Sequence, residues 1–273
     1  MKINEVLEYG SKKLNSLYAD ARNMSKQLLA FILEKDTTYL KIHIDEDIQN
    51  DKVEKYKIAI NELIEGRPLQ YITHSQGFMG LNFYVDENVL IPQPDTEILV
   101  EEVIHVLKDM EKPSILDLCT GSGAIAVSIK KYIKDSLIDA TDISEDALMV
   151  AKYNAKNNDV DINFIQSDLF ENIDEIYDLI VSNPPYIKTA IIETLPKEVR
   201  NEPYIALDGG KDGLKFYTKI ISKAKEHLKP NGYLALEIGF DQKNEVIKLL
   251  KNNGYVEIYS LKDYGNNDRV VVR

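Results

Sequence analysis

The stretch Ser114-Ile115-Leu116-Asp117-Leu118-Cys119-Thr120-Gly121-Ser122-Gly123-Ala124 decides the fold. Ile115 to Leu118 reads as a short apolar strand, Gly121 and Gly123 as a tight turn, and Ala124 to Ile133 as a helix. Glycines after a strand let a ligand approach the backbone, and the N–H groups of the following helix then face it. Downstream the alternation continues. Leu137–Thr141, Ile162–Ile165, Asp178–Val181 and Tyr233–Ile238 read as strands, with helices at Glu145–Asn157, Asp212–Leu228 and Asp241–Asn252. Such a pattern predicts a mainly parallel sheet covered by helices on both faces. The last two strands, Tyr255–Leu261 and Arg269–Val272, are joined by residues 262–268. Parallel neighbours need a longer crossover, so the last strand should run antiparallel.

Upstream, residues 1–70 are helical in pattern. Ile3, Val6, Leu7, Leu14 and Leu17 recur at helical spacing, as do Leu28, Leu29, Ile32 and Leu33, and Val53, Tyr56, Ile60, Leu63 and Ile64. Asp20 is placed to cap the second of these helices, and Gly66-Arg67-Pro68 to stop the third. A small helical bundle is the natural reading, with a share in a larger core as its alternative. Residues 71–92 mix aromatic and aliphatic residues with glycines, which predicts a short hairpin, and Thr96–Leu107 is again a helix. The expected organisation is a helical domain over 1–73, a hairpin linker over 74–95 and an α/β domain over 96–273.

The chain has 273 residues, 44% apolar and 29% charged, a usual globular mixture. It starts polar and acidic, without an apolar leader or a run long enough to span a bilayer, so a cytoplasmic protein with no membrane partner is expected. One cysteine and four scattered histidines give no metal-ligand pattern, and no metal is expected. Net charge is −12. Residues 1–75 carry 11 basic and 12 acidic side chains, so residues 76–273 hold −11 of it. That field opposes nucleic acid, which is bound through clustered Lys and Arg.

The glycine loop has several readings: a plain strand–helix turn, a dinucleotide site, or the cofactor loop of a methyltransferase. Asp142 lies 19 residues after Gly123 at the end of the next strand, where a carboxylate can accept both ribose hydroxyls. Asp117-x-Cys119-x-Gly121-x-Gly123 with that acid fits a methyltransferase better than the Gly-x-Gly-x-x-Gly of nicotinamide cofactors. Cys119 is read as a small buried side chain, not a nucleophile. After the third strand, Asp168 could accept from an adenine amino group and Leu169 could pack on the ring.

Asn183-Pro184-Pro185-Tyr186 follows the fourth strand. Two prolines fix the backbone and remove two N–H donors, leaving carbonyl oxygens and the Asn183 side chain as acceptors. An amide or exocyclic amino nitrogen is a poor nucleophile because its lone pair is delocalised. The Asn183 oxygen and the Pro184 carbonyl can each accept one of its N–H groups and aim it at a methyl donor, with Tyr186 packed on the planar group. A proline-rich turn with no chemistry is the bland alternative.

With these residues in view, the chain resembles the HemK-type family of peptide chain release factor glutamine methyltransferases over nearly its whole length. The markers are Gly66–Ile72, Ile91–Glu97, Asp117–Ala126, Asn183–Ile187, Glu202–Leu207, Gly209–Leu214 and Asn267–Val270. The tetrad alone is shared with DNA adenine methyltransferases; the ordered set is specific. The resemblance implies a Rossmann-like seven-stranded class I methyltransferase sheet (α/β) with an antiparallel last strand, behind a small N-terminal helical bundle that grips the release factor. It implies S-adenosyl-L-methionine as cofactor, S-adenosyl-L-homocysteine as product, and the glutamine of the Gly-Gly-Gln tip of class I release factors as target. By motif match, Asp117, Cys119, Thr120, Gly121, Ser122, Gly123, Asp142, Asp168, Leu169 and Asn183 would serve the cofactor. Asn183, Pro184, Pro185 and Tyr186 would hold the glutamine, with Asn183, Pro184 and Tyr186 doing the catalytic work. A monomer is expected. Cys119 stands where the family usually has Gly, and Gln93 where it usually has Arg. A ribosomal-protein glutamine, an adenine in nucleic acid, or a non-catalytic binding role are the competing readings.

Overall fold

The computed structural model describes residues 1–273, and the chain divides into two compact units. The first comprises Met1–His74 together with Pro196–Asn201. It holds α1 (Ile3–Leu14), α2 (Ala21–Leu33), α3 (Thr37–Ile42), α4 (Asn50–Glu65) and α5 (Leu69–Thr73). Their apolar stripes meet in one core around Leu14, Leu28, Leu40, Tyr56, Ile60 and Leu63. Burying each such side chain contributes roughly 1.5–3 kcal/mol. Helix α1 approaches α4 closely because Gly10 has no side chain; a Cβ there would collide with the Tyr56 hydroxyl, which bonds Ser25 Oγ at 2.6 Å. Gly66 ends α4 in the left-handed region (φ +97°), and its carbonyl accepts from Asn201 Nδ2 at 2.7 Å.

Two readings of this region are corrected. Asp20 stands before α2 but makes no capping bond; its carboxylate instead accepts from Asn23 Nδ2 at 3.0 Å. Tyr71 belongs to the short helix α5 and not to the hairpin. Helix α3 carried no periodic signal because six residues bury only Leu40.

The second unit comprises Ser75–Leu195 and Glu202–Arg273. It opens with the antiparallel hairpin β1 (Gln76–Phe78) and β2 (Leu81–Phe83), then a 3-10 turn (Pro94–Thr96) that runs into α6 (Glu97–Leu107). The α/β alternation follows: β3 (Ser114–Leu118), α7 (Ala124–Tyr132), β4 (Leu137–Asp142), α8 (Glu145–Asn157), β5 (Asn163–Gln166) and β6 (Tyr177–Ser182). Three short helices come next, α9 (Thr189–Ile192), α10 (Lys197–Arg200, within the first unit) and α11 (Tyr204–Leu207). The chain ends with α12 (Lys215–Lys223), a 3-10 turn, β7 (Leu228–Glu237), α13 (Lys243–Asn252), β8 (Tyr259–Lys262) and β9 (Asp268–Val272).

The seven strands lie in the order β5-β4-β3-β6-β7-β9-β8, parallel from β5 to β7, with β9 antiparallel to both its neighbours. The expected antiparallel last strand is therefore observed. Both faces are apolar, as a covered parallel sheet requires. Along β3, Ile115 faces the core with α6 and α7, whereas Leu116 and Leu118 face the core with α12 and α13. Leu179, Ile180 and Val181 of β6 alternate in the same way. Strand order reverses between β3 and β6, so the crevice beyond their carboxyl ends is the place for a ligand. No helix is long and apolar enough to cross a membrane.

Candidate active site

The glycine loop owes its shape to three consecutive alternate residues in the left-handed region: Cys119 (φ +60°), Gly121 (φ +54°) and Gly123 (φ +79°). Only glycine adopts this backbone without a Cβ penalty. Asp117 lies beneath the loop, fully buried, where it accepts from Thr120 Oγ1 at 2.6 Å. Burial pushes its carboxyl up to about 7, and Thr120 opposes the shift. Thr120 N donates to the Thr141 carbonyl of β4 at 2.9 Å, and Gly123 packs on Ala151 of α8. Asn154 of α8 holds the loop from behind; its Nδ2 donates to the Ser122 and Tyr84 carbonyls, both at 2.9 Å.

Asp142 closes the other wall. Its Oδ2 accepts from Gly121 N at 2.9 Å and its Oδ1 from Ser144 N at 3.0 Å. Burial raises its pKa, and the backbone donors Ser144, Gly121 and Ile143 act against that shift. A carboxylate offers about four lone-pair directions, so these backbone donors leave capacity for a ligand. Cys119, Thr120, Gly121, Ser122 and Asp142 line one cavity of about 240 Å³, which Ser167, Asp168, Leu169, Asn183 and Pro185 complete. Leu169 is itself left-handed (φ +54°), which turns it under the cavity, and Asp168 pairs with Lys219 at 3.5 Å.

The tetrad leaves β6 beside β3. Pro184 and Pro185 are buried, and Asn183 and Tyr186 half-buried. The tetrad is clamped by residues distant in sequence. Gly209 lies flat against it, since a Cβ there would stand 2.7 Å from the Tyr186 backbone. Gln242 Nε2 donates to the Tyr186 carbonyl at 2.9 Å, and Ile187 exchanges backbone bonds with Leu207 and Gly209. The Tyr186 hydroxyl meets Glu237 Oε1 at 3.4 Å and its pKa is raised by burial. Arg269 pairs with Asp95 at 3.0 Å and with Asp263 at 2.9 Å, and Glu202 accepts from Ile91 N at 2.9 Å.

Of the residues singled out in the sequence, Cys119, Thr120, Gly121, Ser122, Asp142, Asp168, Leu169, Asn183 and Pro185 come together on the cavity. Asp117 and Gly123 stand behind its wall, Pro184 is buried beside Asn183, and the Tyr186 hydroxyl is directed at Glu237. Cys119 is half-buried on the cavity wall, and burial holds its thiol well above the ordinary value. Gln93, noted in the sequence as a departure from the family, lines the cavity, as do Thr96, Ile205, Phe216, Lys215 and Lys219, which were not singled out for it. Thr96 had a signal, since it lies in the Ile91–Glu97 marker; the lysines had none beyond proximity to Gly209–Leu214.

The cavity is acidic at Asp142 and Asp168 and apolar at Leu169 and Phe216. It suits a ligand with a ribose, a flat aromatic ring and a charged tail. No group of three or more His, Cys, Asp or Glu comes together that could hold a metal ion.

Comparison with known proteins agrees with this geometry. Residues 94–259 match the family model described as "Methyltransferase small domain", and residues 5–73 match "PrmC N-terminal domain". A release factor glutamine methyltransferase of Clostridium acetobutylicum is 43% identical over 254 residues, covering 91% of this chain and 89% of that one. One from Fusobacterium nucleatum is 42% identical over 253 residues, covering 91% and 72%. Among solved structures, a methyltransferase from Pyrococcus furiosus superposes with a TM-score of 0.55 at 21% identity, covering 80% of this chain and 96% of that one, which speaks for the fold alone. The protein is a methyltransferase, and the chain belongs to the family of release factor glutamine methyltransferases.

Proposed function

We propose that this protein transfers a methyl group from S-adenosyl-L-methionine to the side-chain amide nitrogen (N5) of the glutamine in the Gly-Gly-Gln motif of class I peptide chain release factors. The observation that carries the proposal is that an acid-edged glycine loop and two members of the tetrad, Asn183 and Pro185, border one cavity. When bound, S-adenosyl-L-methionine supplies an electrophilic methyl on a sulfonium and leaves as S-adenosyl-L-homocysteine. Asp142 accepts the ribose hydroxyls on its remaining lone pairs, and Asp168 and Leu169 take the adenine. Asn183 Oδ1 and the Pro184 carbonyl each accept one N–H of the substrate amide. The nitrogen lone pair is thereby aimed along the bond to be made, a gain of several kcal/mol for a well-oriented pair. The extra proton on nitrogen passes to water after transfer, so a strong base is not required.

Incubating a purified class I release factor with the protein and S-adenosyl-L-methionine, followed by peptide mass spectrometry, tests the proposal. A gain of one methyl on the Gly-Gly-Gln glutamine is expected. No gain there, with methylation of ribosomal protein or nucleic acid instead, would move the substrate.

A further inference from the structure

The cavity has a side that neither the glycine loop nor the tetrad makes. Val89, Leu90, Pro92 and Gln93, ahead of α6, line it, and so do Ile205 and Ala206 of α11. A hydrogen bond between residues 111 positions apart joins these two strips: Glu202 Oε2 accepts from Ile91 N at 2.9 Å. Both partners are buried, Glu202 at 8% exposed and Ile91 at 5%. The Ile91 N–H makes no backbone hydrogen bond, so the carboxylate is what satisfies it. Burial pushes the Glu202 carboxyl up to about 7, and the Ile91 bond pulls it down.

Helix α11 cannot hold its own place. It has four residues, too few for a helix to be stable alone, and of these only Leu207 is buried. The chain enters it from Pro196–Asn201, which belong to the first unit. Its far end is tied to the residue after the tetrad: Ile187 N donates to the Leu207 carbonyl at 3.0 Å, and Gly209 N to the Ile187 carbonyl at 2.8 Å. Its near end is tied by Glu202. We infer that Glu202 is a positioning residue that clasps α11 to the strip over residues 89–93 and thereby sets how long the cofactor stays in the cavity. This rests on S-adenosyl-L-methionine as the ligand and goes beyond it, because Glu202 is none of the residues assigned to cofactor or glutamine.

For packing alone, an apolar side chain at position 202 would cost less, since a buried carboxylate loses its hydration. What the carboxylate adds is an acceptor for one particular N–H. Without it, the Ile91 N–H is left buried and unpaired, and it regains a partner only where water reaches it. The two strips then part, α11 is held at one end only, and the ligand leaves more readily. A loosened strip does not hinder entry, so the effect falls on dissociation and not on association.

The test is S-adenosyl-L-homocysteine binding to the immobilised full-length protein by surface plasmon resonance, with hydrogen exchange read by mass spectrometry on the same preparations. Glu202→Leu keeps the bulk and removes the acceptor. Its koff should rise by about tenfold or more, with kon within about threefold of wild type. In the ligand-free variant, peptides carrying the amides of residues 89–91 and 204–207 should exchange faster than in wild type, while those of β8 and β9 keep their protection. Glu202→Gln retains an acceptor oxygen of the same reach and should hold koff within about threefold of wild type. A Glu202→Leu koff within about twofold of wild type, or equal rises in Glu202→Leu and Glu202→Gln, would overturn the inference. So would a wild-type protein in which S-adenosyl-L-homocysteine slows exchange in neither strip, a result that stands even if Glu202→Leu fails to fold. A wild-type protein that binds no S-adenosyl-L-homocysteine would overturn the cofactor reading instead, and the clasp's task with it.

Discussion

The two walls of the cavity are built in opposite ways. The glycine-loop wall is local: residues 117–124 and Asp142 make it, with left-handed turns at Cys119, Gly121 and Gly123, the Gly121 N–H held by Asp142 and the Thr120 hydroxyl by Asp117. The tetrad wall is assembled from afar. Residues 95–96, 183–186, 209, 237, 242 and 269 meet there through side chains. A backbone wall tolerates varied ligands that share a shape, because N–H groups and φ angles do not depend on side-chain identity. A side-chain wall depends on residue identity, because each hydroxyl, amide and carboxyl has its own donor and acceptor inventory. Binding should therefore fail with the first wall and chemistry with the second.

Asp142→Ala gives the largest binding effect. It removes two acceptors for a ligand and leaves Gly121 N without its partner, a loss of about 2–3 kcal/mol, or roughly 30–140-fold in S-adenosyl-L-methionine Kd by calorimetry. An unchanged Kd would remove Asp142 from the binding wall. Cys119→Gly sharpens the same comparison with a smaller effect. A side chain at φ +60° costs roughly 1 kcal/mol, so chemical denaturation should find the glycine variant more stable by about that amount, with cofactor affinity kept within about threefold. A destabilised variant would mean that Cys119 packing outweighs its backbone strain.

The same contrast explains what could be read from sequence. Strand β3, its glycine turn and Asp142 were legible because strand period, turn residues and the acid at the next strand end are local signals. Strand β7 was placed from Tyr233, yet it starts at Leu228 and runs through Pro230-Asn231-Gly232, where the turn residues masked it. Helices α9, α10 and α11 have four residues each and bury almost nothing, so they left no periodicity. The Tyr186 hydroxyl is directed at Glu237, 51 positions away, a partner that no local signal marks. Glu237 carries no local signature, and although Thr96 and Arg269 lie in markers, only the fold shows that the Ile91–Glu97, Asn183–Ile187 and Asn267–Val270 markers converge on one polar cluster. Gln93 remains exposed and donates to the Ile91 carbonyl at 3.0 Å, which keeps it on the cavity rim without a charge.

The most direct test of this division is Asn183→Ala, measured for cofactor affinity by calorimetry and for methyl transfer to a release factor in single turnover on the same sample. The account predicts a rate at least about a hundredfold below wild type with S-adenosyl-L-methionine Kd within about threefold, because Asn183 acts on the reacting amide. A Kd that weakens in step with the rate, or a rate near wild type, would contradict it.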